Sequence, residues 1–226
     1  MSHQLNTVRI KAVANALESL KEKVVFVGGA TISLYPDQPT LEIRPTDDVD
    51  VIIEILNYGN RVELEEKLRS IGFAHDIESG VICRYRIEGI IVDIMPTKDP
   101  SIGFSNIWYP EGFKNAVDYQ IDDQCQVYIL SAPYFIATKL EAHKDRGQND
   151  GRTSQDFEDI IYVLENRGTI WEEINHSNEV LKNYLITEFR NLLENPNLFE
   201  WIDCHVERIS PPATYFIMEE LKKLIA

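Results

Sequence analysis

Residues 48–55 read DVDVIIEI: carboxylates alternate with valines, and the segment then turns largely apolar. A period of two puts Asp48 and Asp50 on one side of an extended chain and Val49 and Val51 on the other. The segment is therefore expected to be a strand with a buried body and two like charges side by side at its mouth. That placement is unfavourable unless one acid is protonated or a cation lies between them, and a hard divalent ion with oxygen ligands meets the second condition. A third acid, Asp93, interrupts the apolar run GIIVDIMP. If that run lies next to 48–55, three carboxylates converge on one or two Mg²⁺ ions, an arrangement suited to phosphoryl or nucleotidyl transfer.

The rest of the chain divides into an α/β part and a mostly helical part. Ile10, Val13, Leu17 and Leu20 recur at helical spacing and predict an amphipathic helix over 5–22. VVFV is a short strand stopped by Gly28 and Gly29, after which the chain turns into a helix at ATISLY. NRVELEEKLRSIG reads as a helix capped by Asn60 and ended by Gly72. VICRYRI and IIVDIMP read as two strands joined by a tight turn at Glu88-Gly89, and CQVYIL as a last strand. DPSIGFSNIWYPEGF reads as a Gly/Pro-rich loop with exposed aromatics.

From Ser131 the design changes. SAPYFIATKLEAHKDRG has a capping Ser, Pro133 in its first turn and Gly147 at its end, and TSQDFEDIIYVLENRG repeats that plan with Phe157, Ile160, Ile161 and Leu164 as its apolar stripe. Two or three more helices follow, the clearest in SNEVLKNYLITEFRNLLEN and ATYFIMEELKKLIA. A boundary is expected near residue 130, giving a mixed sheet flanked by helices over 1–130 and a helical half over 131–226.

Composition narrows the classes of function. A chain of 226 residues with 44% hydrophobic content can bury a full core unaided. Cys83, Cys125 and Cys204 are far apart, odd in number and without a CxxC pair, which argues against a disulfide framework and for a reducing cytoplasm. No apolar run approaches the roughly 18 residues that span a bilayer, so a soluble protein is expected. A net charge of −15 argues against a general nucleic-acid coat. A nucleic-acid substrate would have to be held by a few placed cations, with Arg44, Lys98, Lys139, Lys144, Arg146 and Arg152 as candidates.

The glycine pair supplies the other half of a phosphate site. A Gly-Gly turn into a helix lets backbone N–H groups approach a phosphate unobstructed, and Thr31 adds a hydroxyl. Val27-Gly28-Gly29, then Asp48-Val49-Asp50, then Asp93 resembles the pattern of the DNA polymerase β-like nucleotidyltransferase superfamily. Within it, RPTDDVD, with Arg44, Thr46, Asp48 and Asp50, resembles the AbiEii/AbiGii-type toxins. KLEAHKDR followed by RTSQDFEDI places Lys139, Arg146, Asp156 and Asp159 on the matching helical motifs. The likeness covers about residues 20 to 165. It departs in the stretch from Gly29 to Asp48, which is longer than the family's usual gap, with YPDQPT as the insertion.

This resemblance implies a nucleotidyltransferase-like fold and Mg²⁺- or Mn²⁺-dependent transfer of a nucleoside monophosphate from an NTP to an acceptor hydroxyl. Asp48, Asp50 and Asp93 would hold the metal, with Asp93 as base or third ligand. Gly28, Gly29, Thr31 and Arg44 would bind the nucleotide, and Lys139 with Asp156 would complete its site from the helical half. The acceptor would be tRNA, as in toxin relatives, with an antitoxin as protein partner. A small-molecule acceptor, as in antibiotic-modifying members, and a non-catalytic nucleotide- or partner-binding module are the alternatives.

Simpler readings stand beside these. Lys139 and His143 also fit one wet face of a helix, and Asp156 and Asp159 fit first-turn acids at its positive end. Arg44 also fits a structural clamp on Asp48 or Asp50, and Asp47 an exposed loop acid. Cys204-His205 beside Asp203 fits a helix surface. Phe104, Trp108, Tyr109 and Phe113 either stack a base or form a small apolar cluster beneath the loop.

Overall fold

The computed structural model describes residues 2–37, 43–55, 58–98, 106–148, 150–207 and 213–226. The chain forms two compact units, Met1–Leu34 with Pro39–Ser131, and Tyr35–Gln38 with Ala132–Ala226. Phe104 and part of the YPDQPT segment lie outside the described residues.

The first unit is built on one mixed sheet. Its strands are β1 (Val24–Val27), β2 (Asp48–Ile53), β3 (Ala74–His75), β4 (Arg84–Ile87), β5 (Ile90–Pro96), β6 (Val117–Asp122) and β7 (Cys125–Ile129), in the order β3-β4-β5-β2-β1-β7-β6. β2 runs parallel to β5 and antiparallel to β1, and β1 runs parallel to β7. β2 is half-buried at Asp48 and Asp50 and buried at Val49, Val51, Ile52 and Ile53, so both of its faces are covered beyond the mouth. Helix α1 (Ser2–Ala16) packs on the sheet against β2, β5 and β7, burying Ile10, Val13 and Ala14 completely. At about 1.5–3 kcal/mol for a buried aliphatic side chain, this face is a main stabiliser of the unit.

Several local expectations are corrected. The first helix stops at Ala16; Glu18 takes a φ of 51°, and Glu18–Lys23 continues as a 3₁₀ helix. A non-glycine residue in the left-handed region cannot continue an α-helix. Helix α2 (Tyr58–Ser70) begins two residues before Asn60, which lies inside its first turn. The aromatic loop is partly helix α3 (Tyr109–Lys114), and Trp108 and Tyr109 are buried while Phe113 is half-buried, which favours the apolar-cluster reading over base stacking. The Glu88-Gly89 turn is as expected, with φ values of 50° and 83°, the double left-handed geometry of a two-residue hairpin loop.

The second unit is helical: α4 (Ala132–Arg146), α5 (Gln155–Asn166), α6 (Ile170–His176), α7 (Glu179–Leu193), α8 (Leu198–His205) and α9 (Ala213–Ile225). Among the described residues, four helices therefore follow α5 rather than two or three. α4 is the central helix, packed against α5, α6 and α7, and residues 132–140 are all buried. Ser154 caps α5 by accepting from the Phe157 N–H, and Asn178 caps α7 by accepting from the Leu181 N–H.

Candidate active site

Four adjacent strands carry one row of residues. The register sets Val27 beside Asp50, Asp50 beside Asp93, and Asp93 beside Arg84. Directly paired residues share a sheet face, and Asp48 lies on that face two residues before Asp50. One carboxylate oxygen from each of Asp48, Asp50 and Asp93 lies within 4.8 Å of the others, and among the described residues these three are the acidic, His or Cys group spaced to hold a metal ion. Asp93 is buried, whereas Asp48 and Asp50 are half-buried, so the site opens toward solvent on the β2 side. Three hard oxygen donors fit Mg²⁺ or Mn²⁺.

Arg84 is the residue that sequence reading missed. Its Nε donates to Asp93 Oδ1 at 2.8 Å and its Nη2 to Asp93 Oδ2 at 2.7 Å, a two-pronged, charge-assisted pair. The same Nη2 lies 3.7 Å from Asp48 Oδ2. The hydrogen bonds to Asp93 push the guanidinium pKa up against the opposing effect of burial, and the charges of Asp93, Asp48 and Asp50 push the same way.

Gly28 lies against the acids. Its φ is +72°, and a Cβ there would come within 1.9 Å of Asp50 Oδ2 and 2.9 Å of Asp50 Cβ. The missing side chain is the space that the Asp50 carboxylate fills. Gly29 opens the 3₁₀ helix Gly29–Leu34. Thr31 is fully buried, and its hydroxyl donates to the Gly28 carbonyl at 2.9 Å, which ties the turn together.

The entry to β2 is fixed by another residue missed in the sequence. Buried Asn6 on α1 accepts from the Thr46 N–H at 3.1 Å and donates to the Arg44 carbonyl at 3.3 Å. Its amide thus pairs with the backbone of 44–46 as a neighbouring strand would. The Thr46 hydroxyl bonds the Asp48 carbonyl at 3.1 Å. Arg44 itself is half-buried, and Asp47 is exposed.

Lys139 and Asp156 lie in the second unit, and neither is on a wet face. Lys139 Nζ is 2.6 Å from Asp159 Oδ2 and 3.1 Å from Asp156 Oδ1, with Lys139 only 6% exposed. Burial alone would lower the lysine pKa; the charges of Asp159 and Asp156 outweigh it and raise the value. Arg146 closes the cluster from the surface, binding both Asp156 oxygens at 2.7 and 2.8 Å. Burial pushes the Asp156 carboxyl up, and the Arg146 bonds with the Lys139 charge more than reverse this, leaving it below the usual carboxylate range.

A carboxylate held low in the folded state adds stability above its unfolded pKa and loses it as pH falls through the folded value. Wild-type stability is therefore expected to fall below about pH 4, and Asp156→Asn to flatten that limb while costing about 3 kcal/mol at neutral pH. Urea titrations across pH 2.5–7 read both.

His143 is also buried, its Nδ1 2.8 Å from Ser154 Oγ and its ring against Phe157 and Trp201. This corrects the wet-face reading. Lys144 pairs with Glu141 and Glu188, and Arg152 with Asp150 and Glu200, while Lys98 is exposed. Cys204 is exposed, as a helix surface would have it, whereas His205 is half-buried, its Nε2 bonded to the Gly151 carbonyl and its ring near Phe157.

The model of a protein family described as nucleotidyl transferase AbiEii toxin, type IV TA system, matches residues 12–202. The chain belongs to the AbiEii nucleotidyltransferase toxin family. The AbiEii match takes in both the acid row and the Lys139 cluster. No curated protein matches the chain. Two solved structures share the nucleotidyltransferase-like fold at 18% identity. One is an antigenic nucleotidyltransferase-like protein from Paracoccidioides brasiliensis, with a TM-score of 0.51 over 92% of this chain and 96% of its own. The other is the antibiotic-resistance factor ANT(2'')-Ia, with a TM-score of 0.52 over 85% of this chain and 96% of its own. Among the described residues, no helix of this AbiEii-family protein is long and apolar enough to cross a membrane.

Proposed function

We propose that this AbiEii-family protein moves a nucleoside monophosphate from an NTP to a hydroxyl at the 3′ end of a tRNA, using Asp48, Asp50 and Asp93 around divalent metal. The observation that carries the reading is the in-register pairing of Asp50 with Asp93 on parallel strands, with Asp48 on the same face and oxygens of all three within 4.8 Å. In the reaction the acceptor hydroxyl passes its proton to a carboxylate of the acid row, its oxygen bonds the α-phosphorus as the bond to the β-phosphate oxygen breaks, and pyrophosphate leaves. When bound, Mg²⁺ or Mn²⁺ would neutralise phosphate charge and lower the pKa of the attacking hydroxyl.

The chain's own residues supply position and electrostatics. Asp48 and Asp50 hold the cation side of the site. Asp93 presents its carboxylate from a buried strand, oriented by Arg84. On the glycine turn, Gly28 and Gly29 would offer backbone N–H groups to phosphate, and Thr31, whose hydroxyl donates to the Gly28 carbonyl, keeps the turn closed. In the second unit, Asp156 and Asp159 enclose Lys139, and Arg146 covers Asp156 from the surface. The family's toxin–antitoxin description supports a neutralising antitoxin as partner.

A small-molecule acceptor is the second reading, favoured by the net charge of −15, which offers no basic track for RNA. Incubation with each labelled NTP, Mg²⁺ or Mn²⁺, and either total tRNA or small hydroxyl acceptors separates them. Label on tRNA supports the first reading; NTP turnover that needs a small acceptor supports the second. No turnover with either refutes transfer.

A further inference from the structure

The acid row carries a cation of its own, and its placement bears on how the site takes metal. Arg84 reaches the triad from the strand next to Asp93, at the register position directly opposite it. Both Asp93 oxygens accept from the guanidinium, and Nη2 also faces Asp48. The Arg84 side chain is 24% exposed and that of Asp93 11%, so water screens this pair poorly. Three carboxylates and one guanidinium leave two net negative charges, which one divalent ion balances. A second ion would have to bring its own anions, as a triphosphate does.

We propose that Arg84 is the resident counter-ion of the acid triad, a positioning residue that fixes the Asp93 carboxylate and competes with divalent metal until nucleotide arrives. The proposal rests on the reading that the triad binds metal. It assigns to Arg84 a cost in metal affinity and a gain in order. A unit positive charge within a few ångströms of a divalent ion repels it, and the repulsion is felt because the site is partly shielded from water. The geometry is specific to arginine, since a lysine carries the charge without the fork that grips both oxygens.

The test is a Mn²⁺ titration of nucleotide-free protein, followed by electron paramagnetic resonance of free Mn²⁺. Arg84→Met, which removes the charge and keeps the bulk, is expected to bind Mn²⁺ at least about tenfold more tightly than wild type. Arg84→Lys, which keeps the charge, is expected to stay within about threefold of wild type. If Arg84→Met does not fold without metal, Arg84→Gln reads the same quantity, because it keeps a donor to Asp93 without the charge. Equal or weaker Mn²⁺ binding in the neutral variants would overturn the counter-ion role alone. Mn²⁺ binding by neither wild type nor the neutral variants would overturn it together with the metal reading.

Discussion

Asp50→Asn is expected to reduce nucleotidyl transfer by about a thousandfold or more while leaving metal-free thermal stability equal to or above wild type. The activity loss follows from position. Asp50 is the central acid of the row, paired in register with Asp93 on one side and with Val27 on the other. Stabilising charge at the reacting phosphate is worth several kcal/mol, and each 1.4 kcal/mol is about tenfold in rate. Stability moves the other way because the wild-type row holds three carboxylates against one guanidinium, so removing a charge relieves repulsion that no metal then offsets. A side chain needed for the fold would lose both together. The measurement is kcat for label transfer beside a melting curve in EDTA. Activity retained within about tenfold would remove Asp50 from the catalytic reading, and a melting temperature lowered together with activity would give it a structural role instead.

The readable parts of the fold were those with apolar patterns. β1, β2, β4, β5 and β7 stood out because buried strands must be apolar on at least one face. β3 and β6 did not, and they are the two edges of the sheet. An edge strand is half-solvated and can be as polar as VDYQID. On α4 the pattern misleads for the opposite reason: a helix surrounded by α5, α6 and α7 has little wet face to read, so the wet-face reading of His143, and the alternative one of Lys139, put enclosed side chains in water.

The acid triad was legible because Asp48 and Asp50 obey strand alternation and Asp93 breaks an apolar run. Arg84 was legible in principle as well. A two-residue turn at Glu88-Gly89 sets Ile87 beside Ile90, and counting outward sets Arg84 beside Asp93. Asn6 had no such signal, since its contact with residues 44–46 spans about 40 positions and depends on how α1 lies on the sheet.

Gly28→Ala is expected to cost about 2–4 kcal/mol of stability and most of the transfer activity, far more than the same change at a glycine of similar backbone. Two effects add at this position. A φ of +72° disfavours any L side chain by about 1 kcal/mol. The new Cβ would also sit 1.9 Å from Asp50 Oδ2 and 2.9 Å from Asp50 Cβ. Rotating the Asp50 side chain relieves the first clash and not the second, so the backbone of β1 or β2 must shift, and overpacking of that kind costs about 1–3 kcal/mol. Gly80→Ala is the control. Its φ is +69° and nothing lies within 4 Å of the added carbon, so it should cost only the backbone penalty. A double-mutant cycle with Asp50→Ala isolates the carboxylate's share of the clash, because it removes the nearest contacts and leaves the Cβ contact and the backbone penalty untouched. A favourable coupling of about 1 kcal/mol or more between Gly28→Ala and Asp50→Ala, read from urea midpoints, is the expected result. Equal losses for Gly28→Ala and Gly80→Ala, with no coupling to Asp50, would show that Gly28 serves only the turn and that the Asp50 carboxylate does not depend on the space beside it.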